Sequence, residues 1–382
     1  MAKFIIEASF TWSEDNPHGG HVMHTLQWAG ALRALGHDVL FYDHLPATDP
    51  RLDDGRADEV AQWFDGVMER WWEPGRSACI AADGRSIAGL KAEEVHEFGR
   101  DADALIGLGV GFDPPPWVAS VRPRVFIDQD PGFTQFWCEE DGVTETLGDP
   151  DICFTVGANI GRGAKAPTAG VDWRPLWPPV VLPWWDNDGR RERDRFTTAM
   201  RLWGGGYRAV DGKMWGPKAE QIKAFMRLPE LAGETLEIAV DFTAKSEGLL
   251  ADLRDAGWRI EDAKELLTSP ETFRDYIFAS AGEFSCVKGV YVATESGWFS
   301  DRSTCYLAAG RPVVVEDTGI RDHIPTGLGL FAVSDVEEAA AAVREIRSDY
   351  ERHAAGARQL AEQYFAPERA LRPLLEALDL DP

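Results

Sequence analysis

A chain of 382 residues exceeds the size at which one hydrophobic core usually stops growing, so its length predicts two domains. Lysine and arginine together number 39 against 64 aspartates and glutamates, a formal net charge of −25. This excess of acid argues against partners that bind through negative phosphates, so we expect neither nucleic acid nor an anionic membrane surface as a partner.

The cysteines and the N-terminus indicate the compartment. The five cysteines are widely scattered and form no C-x-x-C pair, so neither a disulfide framework nor a zinc site is indicated. The opening residues, MAKFIIEASF, lack the basic region, long apolar core and cleavage site of a signal peptide. No run approaches the roughly 20 apolar residues that a membrane span needs. We therefore expect a cytoplasmic protein without a membrane span, and no heptad pattern predicts its oligomeric state.

The first part of the chain alternates predicted strands with predicted helices. Apolar runs predict strands at residues 4–10, 39–42, 104–108 and 124–127. Apolar residues at helical spacing predict helices at residues 22–35, 57–71 and 91–100. Strands that alternate with helices imply a parallel, doubly wound α/β sheet, as in Rossmann-like domains.

A change of composition divides the chain. Residues 157–188 are rich in glycine, proline and tryptophan, which is typical of a linker. We therefore expect one Rossmann-like domain at residues 1–180 and a second at residues 190–365, with a closing helix at residues 366–382.

The second part repeats the alternation. Strands are predicted at residues 196–202, 236–240, 290–294 and 313–315. Helices are predicted at residues 217–231, 249–256, 271–281, 336–347, 350–364 and 367–378. Two such domains facing each other leave a cleft between the carboxyl ends of both sheets, where ligands bind in folds of this kind.

One helix start has the features of a phosphate site. Ser300, Asp301, Arg302 and Ser303 suit the first turn of a helix that ends near Gly310, between the predicted strands at 290–294 and 313–315. A helix start carries unpaired amides and the positive end of the dipole, so it can bind a diphosphate, and Arg302 could clamp it. The alternative is an ordinary βαβ unit capped by Ser300, with Arg302 solvated or salt-bridged.

The loop after the first predicted strand offers a catalytic base. His18 and His21 flank Gly19 and Gly20, and glycines let the backbone approach a ligand. A histidine that titrates near neutral pH can deprotonate a hydroxyl, so His18 or His21 is the expected base, with Asp15 as its orienting partner. The alternative is that these are polar loop residues, with His24 one turn further in and facing solvent.

Three stretches together resemble glycosyltransferases of the GT-B fold, and more narrowly a group of bacterial glycosyltransferase-like proteins. They are GWFSDRSTCYLAAGRPVVVEDTG, PTGLGLFAVSDVEEAAAAV and GGHVMHTLQWAGALRALGHDVLFYD, and the resemblance extends to IDQDPGFTQ and FTVGANIG. It implies sugar transfer from a nucleotide diphosphate donor, held by the C-terminal domain, to a small-molecule or glycan acceptor held by the N-terminal domain. It also implies no metal and no cofactor, and a last helix that returns to the first domain.

The chain departs from two catalytic patterns of GT-B transferases. Retaining GT-B transferases commonly carry two glutamates separated by seven residues, and Gly297 and Cys305 stand at those places. The loop histidine and helix glutamate of plant-type inverting transferases are also missing, although Ser303 matches their phosphate-contacting serine. A non-catalytic sugar-nucleotide or glycan-binding protein therefore stays an alternative, as does a sugar-nucleotide epimerase or hydrolase.

Further donor-binding candidates lie in the C-terminal half. Glu316, Asp317, Thr318 and Gly319 follow a predicted strand, where carboxylates can accept hydrogen bonds from sugar hydroxyls, although Asp-Thr-Gly also suits a plain turn. Candidates for the nucleotide and its phosphates are Gly205, Arg208 and Lys288.

Acceptor-binding candidates follow the strand predicted at residues 124–127. Asp130, Phe133 and Gln135 are expected to meet the acceptor, together with Gly19 and Gly20. Asp128 and Asp130 superficially match a metal-binding D-x-D pair, but only the last positions of the strand reach the cleft, so no metal site is expected. The alternative is that Asp130 only makes the turn with the proline and glycine that follow.

Overall fold

The computed structural model describes residues 1–8, 19–45, 49, 52, 55–109, 115–186 and 194–381. An eight-stranded N-terminal sheet is formed by β1 (Lys3–Ala8), β2 (Asp38–Leu45), β3 (Ser77–Ala81), β4 (Ser86–Gly89), β5 (Ala104–Leu108), β6 (Arg124–Asp128), β7 (Ile152–Thr155) and β8 (Trp173–Pro175). Its spatial order is β4-β3-β2-β1-β5-β6-β7-β8, and every pair is parallel except β3 with β4.

Both faces of the N-terminal sheet are covered, as the continuous apolar runs of its strands require. Successive residues of β1 point to opposite sides, so Ile6 packs in one hydrophobic cluster and Ile5 in another. The helices of this part of the chain are α1 (Gly19–Ala34), α2 (Ala57–Trp71), α3 (Ala92–Gly99), α4 (Phe133–Asp141) and α5 (Val143–Leu147).

A six-stranded C-terminal sheet has all its strands parallel, which completes the predicted pair of doubly wound sheets. Its strands are β9 (Phe196–Ala199), β12 (Glu237–Val240), β13 (Arg259–Asp262), β14 (Gly282–Ser285), β15 (Val313–Glu316) and β16 (Leu330–Val333). Their order is β13-β12-β9-β14-β15-β16. A separate antiparallel hairpin joins β10 (Arg208–Val210) to β11 (Lys213–Trp215).

The helices around the C-terminal sheet are short. They are α6 (Lys218–Gln221), α7 (Leu228–Ala232), α8 (Glu247–Asp255), α9 (Ala263–Leu266), α10 (Pro270–Phe278), α11 (Gly289–Ala293), α12 (Asp301–Ala308), α13 (Val336–Ser348), α14 (Tyr350–Leu360), α15 (Pro367–Ala370) and α16 (Arg372–Ala377). Single turns of 3-10 helix lie at Leu182–Trp185, Ile222–Phe225 and Ile320–Asp322, and a π turn lies at Ala361–Phe365. None of the helices described is long and apolar enough to cross a membrane.

The strand predicted at residues 290–294 is wrong. Those residues form most of α11, and the strand of this unit is β14, whose sequence is Gly-Glu-Phe-Ser. The β-branched valines of α11 favour a strand by propensity, but tertiary packing overrides that preference, and Val290 and Tyr291 are buried in a helix. The strand β14 was missed because it contains the polar residues Glu283 and Ser285, which are buried and hydrogen-bonded.

The segment expected to be a linker is a packed part of the molecule. It contributes β8 to the N-terminal sheet, and Val181 donates its amide to Gln27 Oε1 at 2.6 Å. Trp185 is fully buried. Because residues 187–193 lie outside the described residues, the domain boundary between 180 and 190 stays a prediction.

The closing helices return to the N-terminal part, as expected. Val180 donates its amide to Phe365 O at 2.8 Å, at the end of the π turn. Beyond it, α15 contacts α1, and Leu371 and Leu374 are buried in the same cluster as Leu32 of α1. The end of the chain therefore supports the first helix.

Candidate functional site

A cavity of about 820 Å³ lies between the two sheets. Its walls include residues that follow strands of both sheets, namely Gly109 after β5, Asp130 after β6, Arg201 after β9, Asp241 after β12 and Lys264 after β13. The carboxyl ends of both sheets therefore open onto one space. Its volume falls in the range of roughly 300–1,000 Å³ that small-molecule sites occupy.

The start of α1 forms part of the wall, and its glycines serve close packing against α10. A Cβ atom on Gly19 would lie 1.9 Å from Ser269 O, and one on Gly20 would lie 3.0 Å from the Phe273 ring. Gly19 also donates its amide to Leu267 O at 2.8 Å. Gly20 lines the cavity, so of these two predicted acceptor residues it is the one placed to meet a ligand.

Two histidines of α1 line the cavity, while His18 and Asp15 lie outside the described residues. His21 is exposed in the first turn, and the His24 ring stacks with it at 6.4 Å between centroids. The alternative in which His24 faces solvent is wrong, because its side chain is only 12 % exposed and its Nδ1 lies 3.3 Å from Asp301 Oδ2. Burial acts to raise the pKa of Asp301, but His24 and Arg302 outweigh it and lower that pKa.

The first turn of α12 lies opposite α1. Ser300 caps the helix, since its Oγ accepts a hydrogen bond from the Arg302 amide at 3.2 Å. The Arg302 guanidinium is turned inward: Nε donates to Glu283 Oε1 at 2.5 Å, and Nη2 donates to Ser285 Oγ at 2.6 Å. This arrangement favours the salt-bridged alternative over a diphosphate clamp. Asp301 and Arg302 line the cavity, whereas Ser303 is fully buried behind them.

The turn after β15 is occupied by internal hydrogen bonds. Glu316 accepts from the Val287 amide at 3.1 Å and from Gln221 Nε2 at 2.8 Å, and burial raises its pKa to about 7. Asp317 Oδ1 accepts from the amide of Gly319 at 2.9 Å. These bonds match the alternative that Asp317, Thr318 and Gly319 form a plain turn rather than a binding site for the donor sugar.

The same turn supports a residue of the cavity wall. Thr318 Oγ1 donates to Trp298 O at 2.7 Å, and Gly297 donates its amide to Thr318 O at 2.7 Å. Trp298 lines the cavity. Of the predicted donor residues 316–319, Thr318 therefore acts on the site by holding the loop that carries Trp298.

A predicted donor residue and a predicted acceptor residue contact each other between the sheets. Lys288 Nζ forms an ion pair with Asp130 Oδ1, and Tyr291 Oη donates to the same oxygen. Burial acts to raise the pKa of Asp130, but Lys288 and Tyr291 outweigh it and lower that pKa. Lys288 is thus neutralised by a carboxylate.

A buried carboxylate holds the loop after β6. Asp128 is fully buried and accepts from Thr134 Oγ1 at 2.6 Å, Gln135 Nε2 at 2.9 Å and the Asp130 amide at 2.9 Å. Gln135 and Phe133 are also fully buried, so they shape the loop and of the three acceptor candidates only Asp130 lines the cavity. Within the described ranges, no group of three or more His, Cys, Asp or Glu residues is arranged to hold a metal ion.

The glycine-rich loop after β9 docks the hairpin β10–β11 onto α4. A Cβ atom on Gly205 would lie 2.8 Å from the Phe133 ring, so glycine is required for this approach. Arg208 Nη2 lies 3.1 Å from Glu140 Oε2 of α4. Gly205 and Arg208 thus contact the N-terminal part, away from the described wall of the cavity.

Neither a protein-family model nor a curated protein matches the chain. Solved structures do match it over nearly its full length. An α-glucosyltransferase (AGT) in complex with UDP has a TM-score of 0.59 at 11% identity, covering 99% of this chain and 100% of that one. The chain has the GT-B fold.

Two further glycosyltransferase structures share the GT-B fold with this chain. AviGT4, involved in avilamycin A biosynthesis, has a TM-score of 0.58 at 11% identity and covers 99% of this chain and 97% of its own. Anabaena Alr3699/HepE in complex with UDP and glucose has a TM-score of 0.56 at 12% identity and covers 99% of this chain and 100% of its own.

Sequence reasoning missed two cations of the GT-B cleft. Arg201 is exposed, lines the cavity and forms no ion pair with any residue in the described part of the chain. Lys218 lies behind the wall, with Nζ 5.8 Å from the Trp298 ring centre. It forms no direct ion pair with a described residue, although the carboxylates of Glu283 and Glu316 act on it electrostatically. Burial together with Arg302 lowers its pKa to about 8. The available signal for Arg201 was its place near the carboxyl end of the strand predicted at residues 196–202.

Proposed function

We propose that the protein is a metal-independent glycosyltransferase that moves a sugar from a nucleotide diphosphate donor to an acceptor hydroxyl. The observation that carries this proposal is the interlobe cavity of a GT-B fold, with Arg201 on its wall and Lys218 behind that wall, neither of them in a direct ion pair with a described residue. Three matched structures contain UDP, or UDP and glucose, or UDP with DNA, which supports a uridine nucleotide as the first donor to test.

The chemistry asked of the donor side is charge stabilisation. When the bond between the sugar and the diphosphate breaks, negative charge grows on the departing phosphate oxygens. Arg201 and Lys218 supply positive charge, and the first turn of α12 supplies backbone amides. Lys218 lies behind the wall, so its charge rather than a direct contact would favour an anion in the cavity. Fixed cations of this kind can do the work that a divalent ion does in other transferases.

The acceptor side supports an uncharged acceptor. The described residues that line the cavity from the N-terminal part include His21, His24 and Asp130, but no lysine or arginine. The stretches that follow β1 and β5 in the sequence, residues 9–18 and 110–114, contain no lysine or arginine either. With a formal net charge of −25, the protein would repel a polyanion. We therefore propose a small-molecule or glycan hydroxyl as acceptor, and not nucleic acid.

The cysteines support a cytoplasmic location. All of them, Cys79, Cys138, Cys153, Cys286 and Cys305, are buried and free. Free thiols suit a reducing compartment, because oxidising compartments favour disulfides. A cytoplasmic enzyme would also have direct access to nucleotide sugars.

The proposal is tested in two steps with EDTA present throughout. Thermal unfolding with UDP, GDP and ADP should show a rise in Tm with at least one of them, because a ligand that binds only the folded state stabilises it. The matching glucose donor, UDP-glucose if UDP binds, should then label a neutral sugar in a panel that also contains sugar phosphates and duplex DNA. Wild-type protein that is stabilised but transfers nothing would favour the binding-protein alternative, and donor turnover without any acceptor would favour a hydrolase or epimerase.

A further inference from the structure

A histidine and a carboxylate from opposite sides of the cavity contact each other. His24 belongs to the second turn of α1, and Asp301 is the first residue of α12. The two residues are far apart in sequence, yet His24 Nδ1 and Asp301 Oδ2 are 3.3 Å apart. Both side chains line the cavity.

The contact fixes which ring nitrogen can meet a ligand. Nδ1 of His24 is enclosed and lies 3.3 Å from Asp301 Oδ2, close enough for an ion pair but without the geometry of a hydrogen bond, so Nε2 is the remaining nitrogen. The ring of Trp28 packs edge-on to that of His24 at 6.4 Å between centroids, which restricts the orientation of the imidazole. A base held by a third group in this way is the arrangement on which proton abstraction from a weak nucleophile depends.

We propose that His24 is the general base of the transfer reaction and that Asp301 is its positioning residue. This inference rests on the proposed function. Because α1 belongs to the N-terminal part and α12 to the C-terminal part, the base and its positioning residue come together only when the two sheets face each other as they do here.

The proposed step is a single displacement. The acceptor hydroxyl gives its proton to His24 Nε2, and its oxygen forms a bond to the anomeric carbon. The bond from that carbon to the diphosphate oxygen breaks, and its electron pair leaves with the diphosphate. Asp301 stays ionised and stabilises the imidazolium. Direct attack inverts the anomeric centre, so UDP-α-glucose would give a β-glucoside.

The charged groups around the pair fit these roles. His21 stacks on His24 from the same helix, and Arg302 approaches Asp301 from α12. Arg302 is itself paired with Glu283 of β14, which largely neutralises its charge. Asp301 therefore keeps His24 as its partner at the cavity surface.

The test compares kcat and KM for UDP-glucose transfer, using the acceptor found in the panel above, in wild type, His24→Gln and Asp301→Asn. His24→Gln should lower kcat by roughly 100-fold or more, the usual worth of a general base, with little change in KM for UDP-glucose. Asp301→Asn should lower kcat by a smaller factor. In His24→Ala, added imidazole should restore part of kcat, which a residue that only braces the fold would not allow.

The control is another ion pair that joins distant parts of the chain. Lys165 contacts both Asp211 and Glu295, at 3.1 and 3.2 Å, and lies outside the described wall of the cavity. Lys165→Gln should leave kcat unchanged. Four outcomes would each overturn the assignment. They are an equal fall in kcat in Lys165→Gln, no rescue of His24→Ala by imidazole, a larger loss of kcat in His21→Gln than in His24→Gln, and an α-glucoside product. Absence of any transfer by wild type that still binds UDP would instead remove the proposed function, and the general base with it.

Discussion

The two sides of the cavity differ in how they treat charge. On the C-terminal side, Arg302 is paired with Glu283, while Arg201 lines the wall without an ion pair to any described residue, and that wall also carries the carboxylates of Asp241 and Asp301. On the N-terminal side, Asp130 is already paired with Lys288, and the other titratable residues that line the described wall are histidines. The first side therefore offers an arginine to an anionic donor, and the second offers groups for proton transfer. This division of labour suits a reaction that joins a charged donor to a neutral acceptor.

The largest expected effect is a loss of stability, and it tests whether every cation of the donor side binds ligand. Arg302→Met should lower the free energy of unfolding by roughly 3–5 kcal/mol, because it strands the buried carboxylate of Glu283. Urea denaturation of the variant measures this loss.

Two further variants show whether the stranded charge is the cause. The double variant Arg302→Met with Glu283→Gln should recover part of the stability, since it removes the unpaired carboxylate. Arg227→Met, which removes an exposed arginine paired with Glu230, is the matched control and should cost nothing measurable. A stable Arg302→Met protein with weak UDP binding would show that the clamp predicted from sequence was right after all.

A smaller effect is expected on the affinity of the donor side for UDP. Arg201→Gln should weaken UDP binding by about 1.5–3 kcal/mol, the worth of a charge-assisted hydrogen bond, or roughly 10- to 150-fold in Kd. Lys218→Met should weaken it by less, because Lys218 lies behind the wall and acts on UDP through its charge alone. Because the pKa of Lys218 is lowered to about 8, wild type should lose UDP affinity as the pH rises through that value and the amine becomes neutral.

The control for this pair is an exposed lysine on the same stretch of chain. Lys223 pairs with Glu220 at 2.8 Å, and Lys223→Met should leave Kd unchanged. Titration calorimetry at neutral and alkaline pH gives both readings. If Lys218→Met kept the alkaline loss of affinity, the titrating group would be another residue.

The smallest effect concerns the contact between the two sides. Asp130→Asn weakens the ion pair with Lys288, but the Asp130 side chain is 38% exposed, so solvent screens the pair. We expect about 1 kcal/mol or less, measured by urea denaturation in a double-mutant cycle with Lys288→Met. A coupling as large as that of Arg302 with Glu283 would mean that the two sides of the cavity share one cooperative unit.

Apolar periodicity predicted parallel sheets and the resemblance of three stretches predicted the GT-B fold, whereas the sequence did not reveal the partners of the charged residues. The apolar runs of β1, β5, β6 and β15 announced two parallel sheets, because strands buried on both faces must be apolar. Arg302 could be read as a clamp only because nothing local reveals that Glu283, on a different strand, lies beside it. The pairing of His24 with Asp301 depends in the same way on how two distant helices approach.

Glycines show the same limit. Gly19, Gly20 and Gly205 were interpreted as sites of ligand approach, which is one of two reasons for a bare backbone. The structure gives the other reason at Gly19 and Gly205, where Ser269 and Phe133 leave no room for a side chain. Composition cannot separate the two, because the neighbour that demands a glycine lies far away in sequence.

The return of the chain's end to α1 has a practical outcome for how the protein tolerates trimming. Leu371 and Leu374 fill space next to Leu32, on the helix that also bears His21 and His24. A protease that removed the last dozen or so residues would cut no part of the cavity, yet it would unseat the helix that presents both imidazoles. Truncation of these residues should thus destabilise α1, more than 300 positions earlier in the sequence, without removing any residue of the cavity wall.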